Sequence, residues 1–483
     1  MVGGRPSSNL PGLRVHFAAL MHPTKPTEPS LERGLGPWQA TALNIANMVG
    51  IGPFITIPAF IATMHGPQAM IGWVVAAVLV MCDGLVWSEL GAALPGSGGT
   101  YHFLREIFGR YRWGRIMPFL FIWQFLVSGA LEMASGYVGA LQYLEYAVPG
   151  LADFAGRYSV PGGTKCIAAA SVLVVTVLLC RRISSIGWMG LVLCTGTMVT
   201  VAVVIFAGLT NFNSLLLKPP PGAFVLDQKF VTGLGGAMLI AIYDYLGYFN
   251  VCHLGDEVRQ PEKTIPRAVL TSVVVVALIY LIMNVSIIAV VPWQEAMESK
   301  NIAALFMERL YGTRAAVVFT GFILWTSIAC VFAATLGYSR IPYAAARRGD
   351  FFPVFGYLHP TGNYPIVSLV VFGILTAAFC FLDLGTIISA AVCVRIGVQF
   401  IGQIVALHLL RTTRPGVKLP FRMWLYPLPS LVALAGWLYV LATADRFVLL
   451  VSAHVLIWGV WVFVIWTVFS RPSRSSVPSV VIF

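Results

Sequence analysis

Charge is what this sequence has least of. Only 10% of its 483 residues are Asp, Glu, Lys or Arg, while 58% are hydrophobic; a soluble globular chain carries about 25% charged residues. That deficit excludes a water-soluble globular protein. Paired cysteines are missing too. Cys82, Cys166, Cys180, Cys194, Cys252, Cys330, Cys380 and Cys393 lie in or at the ends of apolar stretches without Cys-x-x-Cys spacing. They read as small core residues, not as a disulfide framework or a zinc site. No HExxH, GxSxG or phosphate-loop pattern occurs, and most histidines fall in tails, loops or near stretch ends, which argues against a membrane enzyme. The net charge of +12 is scattered singly, with no basic stripe interleaved with aromatics, so no nucleic-acid partner is expected. Residues 1–35 are polar and Pro-rich, and their longest apolar patch, Val15 to Met21, contains His16. It is too short for a signal-peptide core, so the first apolar span is expected to act as an uncleaved signal.

Long apolar runs are what the sequence does have. About 20 apolar residues cross the roughly 30 Å hydrocarbon core as a helix. Helix is the form in which an open chain satisfies its backbone in lipid. The runs predict twelve spans, at 39–62, 70–94, 116–145, 163–180, 186–209, 232–255, 268–291, 315–338, 365–382, 386–410, 424–442 and 447–469. Alternating the loops between two sides puts 22 of the 31 Lys and Arg on the side holding both termini and 8 on the other, with Arg395 inside span ten. The positive-inside rule then places both termini in the cytoplasm of a cell (plasma or bacterial inner) membrane. The expected layout is a cytoplasmic tail (1–38), one transmembrane domain (39–469) and a second cytoplasmic tail (470–483).

Two spans carry interruptions. Span one contains Val49-Gly50-Ile51-Gly52-Pro53, where two glycines and a proline without an N–H cannot sustain a helical ladder. Span six contains Tyr243-Asp244-Tyr245-Leu246-Gly247-Tyr248, a weaker break with a carboxylate inside it. They lie five helices apart. Matched breaks in two five-helix halves point to an inverted-repeat carrier, with its site at the midplane where the half-helix ends meet. The halves fall at about 39–209 and 232–410, followed by helices eleven and twelve at 424–469.

Four segments carry a family resemblance. They are Gly50-Ile51-Gly52-Pro53-Phe54; Trp87-Ser88-Glu89-Leu90 through Leu94-Pro95-Gly96-Ser97-Gly98-Gly99 to Arg105-Glu106-Ile107-Phe108-Gly109; Gly255-Asp256-Glu257-Val258-Arg259-Gln260-Pro261 followed by Thr264-Ile265-Pro266-Arg267-Ala268; and Ser339-Arg340 with Ala345-Ala346-Arg347-Arg348-Gly349-Asp350 and Phe352-Pro353. In this order the chain resembles the amino acid, polyamine and organocation (APC) transporter superfamily from about residue 39 to 430. It is closest in pattern to the polyamine and basic amino acid uptake branch. The resemblance implies an all-α integral membrane protein with the five-plus-five inverted-repeat, leucine-transporter-like (LeuT-like) fold, helices one and six broken. It implies a secondary active permease for amino acids or polyamines and no cofactor beyond a coupling ion, H+ or Na+.

The site is expected at Val49, Gly50, Ile51 and Gly52, with Glu132, Tyr243, Asp244 and Gly247. N–H groups freed at Ile51 and Gly52 can hold an anion, because a half-helix N-terminus carries about half a positive charge. In amino acid transporters of this family the loop typically holds the substrate carboxylate, often with a serine. Ile51 stands at that place here and Pro53 offers no N–H, so the loop is less well equipped. Ionisable residues in a membrane cost about 2.5–3.5 kcal/mol each on insertion scales, which singles out Asp83, Glu132, Asp244 and Arg395. Glu132 shares a helical stripe with Ser128, Ser135 and Gly139, so it faces protein or a cavity. Two carboxylates converging on a midplane cavity favour a cationic cargo or carry a coupling proton. The competing reading is that Arg395 neutralises one of them, which leaves acid in excess.

Further expectations concern coupling and partners. Asp83, Arg395, Thr326 and Ser327 form a candidate coupling or charge network, the two hydroxyls lining a sodium site. A lysine midway along helix five, kept by some proton-coupled relatives, has no counterpart, and Thr195-Gly196 lies there instead. The cysteine that joins some relatives to a heavy chain is matched only by Cys166 at a helix edge, so no obligate partner protein is expected. A neutral amino acid permease of the same fold is the alternative. A transporter-like nutrient sensor is a weaker one, since neither tail carries an evident signalling module.

Overall fold

A computed structural model describes residues 33–469 except 112, 158–161, 181–185 and 361–363. Both tails, and the basic residues Arg112, Arg181 and Arg182 used in the charge count, lie outside the described residues.

The described chain is all-helical. Eighteen α-helices follow one another: α1 Pro37–Met48, α2 Gly52–Met64, α3 Met70–Ala93, α4 Thr100–Phe108, α5 Ile116–Ala147, α6 Gly150–Arg157, α7 Lys165–Leu179, α8 Ile186–Thr210, α9 Gln228–Tyr245, α10 Pro261–Ile288, α11 Trp293–Glu298, α12 Ile302–Tyr311, α13 Thr313–Arg347, α14 Ile366–Phe379, α15 Leu384–Arg395, α16 Gly402–Thr413, α17 Leu428–Thr443 and α18 Arg446–Phe469. Among the described residues, six helices are long and apolar enough to cross a membrane, counting Leu384–Thr413 as one, and α1 with α2 makes a seventh as a bent pair. Shorter apolar helices occur at Lys165–Leu179, Thr195–Thr210, Ile366–Phe379 and Leu428–Thr443.

The outer helices present apolar side chains to their surroundings: Val174 and Val177 on α7, Phe206 on α8, Val318 and Ile328 on α13, and Trp458 and Trp461 on α18 are all exposed. An all-round apolar helix ring of this kind is stable in lipid and not in water. The interior is lined instead by α5, which packs on α13, α14 and α15, and by α10, which packs on α1 and α3. Small residues allow the close approach. A Cβ placed on Gly136 of α5 would lie 2.6 Å from Val331 of α13, and one on Gly139 would lie 2.7 Å from Ile55 of α2.

Some boundaries depart from the sequence expectation. The eighth span, expected to end at 338, runs on as helix to Arg347 through Pro342, because the helix leaves the apolar zone with Arg340 and Arg347 on it and needs no apolar face there. Span ten is not one regular helix: Ile396–Ile401 form a π-helical turn between α15 and α16. Asp383 caps α15, accepting from the Thr386 N–H at 2.8 Å and its hydroxyl at 2.8 Å. Burial alone would push its carboxyl up, but these bonds outweigh it and hold it below the usual carboxylate range.

Candidate functional site

Two interruptions meet at the centre of the bundle. Between α1 and α2 the chain bends by 54°, with Val49 extended at φ −80°, ψ 97°. The second follows α9. Leu246 leaves the helix and Gly247 adopts φ +115°, a left-handed conformation that favours glycine, before a short 3-10 turn at Asn250–His253. Gly247 also lies against the first interruption, since a Cβ there would be 3.1 Å from the Asn47 backbone. Orphan backbone groups of the two breaks are satisfied mutually. Asn44 donates to the Tyr248 carbonyl at 2.5 Å and accepts from the Val251 N–H at 2.9 Å. The Tyr280 hydroxyl reaches the Met48 carbonyl at 2.6 Å and that of Asp244 at 3.4 Å.

Between the breaks, α5 and α13 enclose a narrow cavity of about 40 Å³, whose walls include Gly50, Ile51, Gly52, Glu132, Tyr243 and Asp244. On the measure by which one water needs about 10–15 Å³, that space holds no more than a few waters. Admission of any organic solute therefore requires the walls to move. Apolar atoms of Met48, Ile51, Met133, Val331 and Ala334 make up much of the remaining wall. Of the residues singled out from sequence, Val49 is buried but does not line the cavity, and Gly247 packs on Asn47.

The four ionisable residues singled out within apolar stretches have different surroundings. Glu132 is ion-paired with Arg395 of α15 and accepts from Tyr338 at 2.8 Å. The Arg395 Nε donates to Ser128 at 3.0 Å. The arginine side chain is 2% exposed and the glutamate 21%, so Glu132 faces the cavity and Arg395 stands behind it. Asp83 sits apart, in α3, taking donors from Trp87, Tyr248 and Trp437. The Asp244 carboxyl has one hydrogen-bond partner among the described residues: its Oδ2 accepts from Thr56 at 2.6 Å, while Oδ1 is buried with none. A buried carboxylate without counter-ion is costly.

Other expected participants lie as follows. Tyr243 hydrogen-bonds Ser135 at 2.5 Å and so joins α9 to α5. Thr326 bonds back to its own helix at Phe322, and Ser327 donates to the Gly136 carbonyl at 2.9 Å; neither hydroxyl lines the cavity. No cluster of three His, Cys, Asp or Glu with metal-ligand spacing occurs among the described residues. Thr56, Tyr280 and Cys330 were not legible in the sequence. The Cys330 sulfur lies against the first break, 3.0 Å from where a Cβ on Gly50 would stand, and lines the cavity. A cysteine in an apolar stretch gives no sign of this.

Close approach at Gly52 yields a prediction. A Cβ there would stand 2.3 Å from Asp244 Oδ1, nearer than real contacts allow. Gly52→Ala should therefore displace the carboxylate and lower solute uptake by about tenfold or more, equivalent to about 1.4 kcal/mol, with little change in folded yield. Uptake and size-exclusion profiles of the purified variant check this.

Residues 35–470 match the sequence profile of the family described as "Amino acid permease". The chain belongs to the amino acid permease family. This permease is 25% identical over 427 residues to the b(0,+)-type amino acid transporter 1 of Mus musculus, covering 87% of this chain and 84% of the relative. It is 24% identical over 419 residues to the serine/threonine exchanger SteT of Bacillus subtilis, covering 86% and 91%. It is 25% identical over 389 residues to the human cationic amino acid transporter 4, covering 75% of this chain and 59% of that one. Family and apolar helices together make the permease an integral membrane protein and a transporter, not an enzyme.

Proposed function

We propose that this permease is a secondary active carrier for amino acids with a cationic group, and for polyamines of like charge, working by alternating access around the two interrupted segments. The single observation supporting this cargo is Asp244 Oδ1, buried beside Gly52 without a partner. An ammonium or guanidinium would supply the missing donor and counter-charge together. In this reading the chain forms twelve spans as two inverted five-helix repeats plus two helices, with both termini cytoplasmic, in line with the 22 to 8 split of Lys and Arg. One relative this chain matches is named a cationic amino acid transporter and another a serine/threonine exchanger.

A neutral amino acid is the second reading. It is favoured by the apolar walls and by Arg395, which already neutralises Glu132; Asp244 would then meet only the α-ammonium. Proteoliposomes loaded with purified protein decide between them. Labelled lysine uptake should be competed by arginine, lysine and putrescine more than by leucine or serine. Competition by the neutral amino acids alone would discard the cationic reading.

A further inference from the structure

Asp83 is the one intramembrane acid that neither the cavity nor an ion pair explains. Its carboxylate lies in the interior of α3, fully buried, and it belongs to none of the ion pairs among the described residues. It is held by three neutral donors from three parts of the chain. Trp87 Nε1 lies at 2.9 Å on its own helix and Trp437 Nε1 at 3.2 Å on α17, and the Tyr248 hydroxyl closes the set from the unwound segment after α9. Titratable neighbours are few: Cys82 on α3 and Tyr248 itself, with Cys252 beyond the tyrosine. The facing part of α10 contributes Val269 and Leu270 against Gly84, and the ring stacked on Trp437 is Phe400 at 4.0 Å.

Two opposing effects act on a buried carboxyl with three donors and no counter-ion. Desolvation works against the anion, while hydrogen bonds to it work in its favour. We infer that Asp83 is a proton-binding site of this carrier, read out by Tyr248, whose residue number places it one beyond the left-handed Gly247. This inference rests on the transport reading above and names its driving ion. In the charged form Oδ2 accepts from Tyr248, Trp87 and the unwound segment is held against α3. A proton taken from water onto that oxygen removes one acceptor site. The Tyr248 hydroxyl must then turn its hydrogen elsewhere and accept from the new carboxyl O–H, so the segment bordering the cargo cavity senses protonation. No charge is created or lost beyond the proton, which returns to water when the carboxyl is next exposed. Because the group is sealed in the present conformation, it exchanges its proton only when the segment moves. Coupling needs this property, since a group titrating in every conformation couples to nothing.

Two measurements test the assignment. In proteoliposomes with an imposed proton gradient, the wild type should accumulate labelled lysine, and Asp83→Asn should lose the gradient-driven component while retaining exchange of external for internal lysine. Tyr248→Phe removes one donor to the anion, so protonation becomes easier and the midpoint of pH-dependent uptake should move to higher pH by about one unit or more. The second measurement does not depend on the cargo. Infrared difference spectra of the purified protein between acid and alkaline pH should contain a carboxyl C=O band that Asp83→Asn lacks. A wild type that exchanges lysine but ignores the gradient, or an Asp83→Asn variant that still follows it, overturns the proton site alone. Absence of lysine exchange in the wild type overturns the cargo reading, while a surviving infrared band shows that Asp83 still binds its proton. Loss of exchange together with the gradient response in Asp83→Asn makes the residue a structural anchor and also overturns the inference.

Discussion

Replacing Asp244 by asparagine should lower lysine uptake by about ten- to a hundredfold. A hydrogen bond to a charged group contributes about 1.5–3 kcal/mol, and 1.4 kcal/mol is a factor of ten. The change is close to isosteric. Asparagine keeps an oxygen for the Thr56 hydroxyl, which Oδ2 accepts at 2.6 Å. What it loses is the negative charge and the free acceptor at Oδ1, where it puts an amide N–H that opposes a cationic cargo. Asp244→Glu is the useful control. It keeps the charge but adds a methylene beside Gly52, in a cavity of about 40 Å³, and should also fail through overpacking. Initial rates for labelled lysine and leucine, taken side by side, give the answer. If both fall equally in Asp244→Asn, the carboxylate reads the ammonium common to all amino acids and the preference for a cationic side chain is refuted.

The second large effect concerns stability. Arg395→Met should lower the stability of the purified protein by about 3–5 kcal/mol, because removing one partner of a buried pair leaves the other uncompensated. The stranded group is Glu132, which keeps its bond from Tyr338 at 2.8 Å but loses its counter-charge. Glu132→Gln with Arg395→Met removes both charges and should recover most of that loss. Thermal unfolding in detergent of the wild type, both singles and the double forms a cycle that isolates the pair. Additive single effects would show that the two side chains act independently, contrary to their ion pair in the structure.

Much of this architecture is written locally and some of it is not. The first interruption is legible because Gly50, Gly52 and Pro53 forbid a continuous ladder within four residues, whatever surrounds them. Asp244 is legible for a similar reason, as a carboxylate in an apolar stretch declares itself by its cost. The partner of Glu132 could be named only as a possibility, since Arg395 lies 263 residues away and pairing depends on how α5 meets α15. Thr56 is not legible because a threonine hydroxyl in a membrane helix commonly bonds its own preceding turn, as Thr326 does, and Tyr280 is not because an aromatic ring in such a helix is more often packing. The π-helical turn at Ile396–Ile401 left no mark in composition. Helix ends bearing charge, such as the extension of α13 to Arg347, escape a reading based on apolar runs.

The short stretch before α1 is bound to the stretch that follows the second interruption. Leu35 and Val258 form a parallel bridge, with the Leu35 N–H donating to Glu257 at 3.0 Å and the Arg259 N–H to Leu35 at 2.8 Å. Asn44 grips Tyr248 and Val251 further along. The two pieces are thus fastened at successive points, so displacing either one strains its bonds to the other. Stretches 204 positions apart in sequence are thereby laced into one seam, which has to stay whole or part along its entire length.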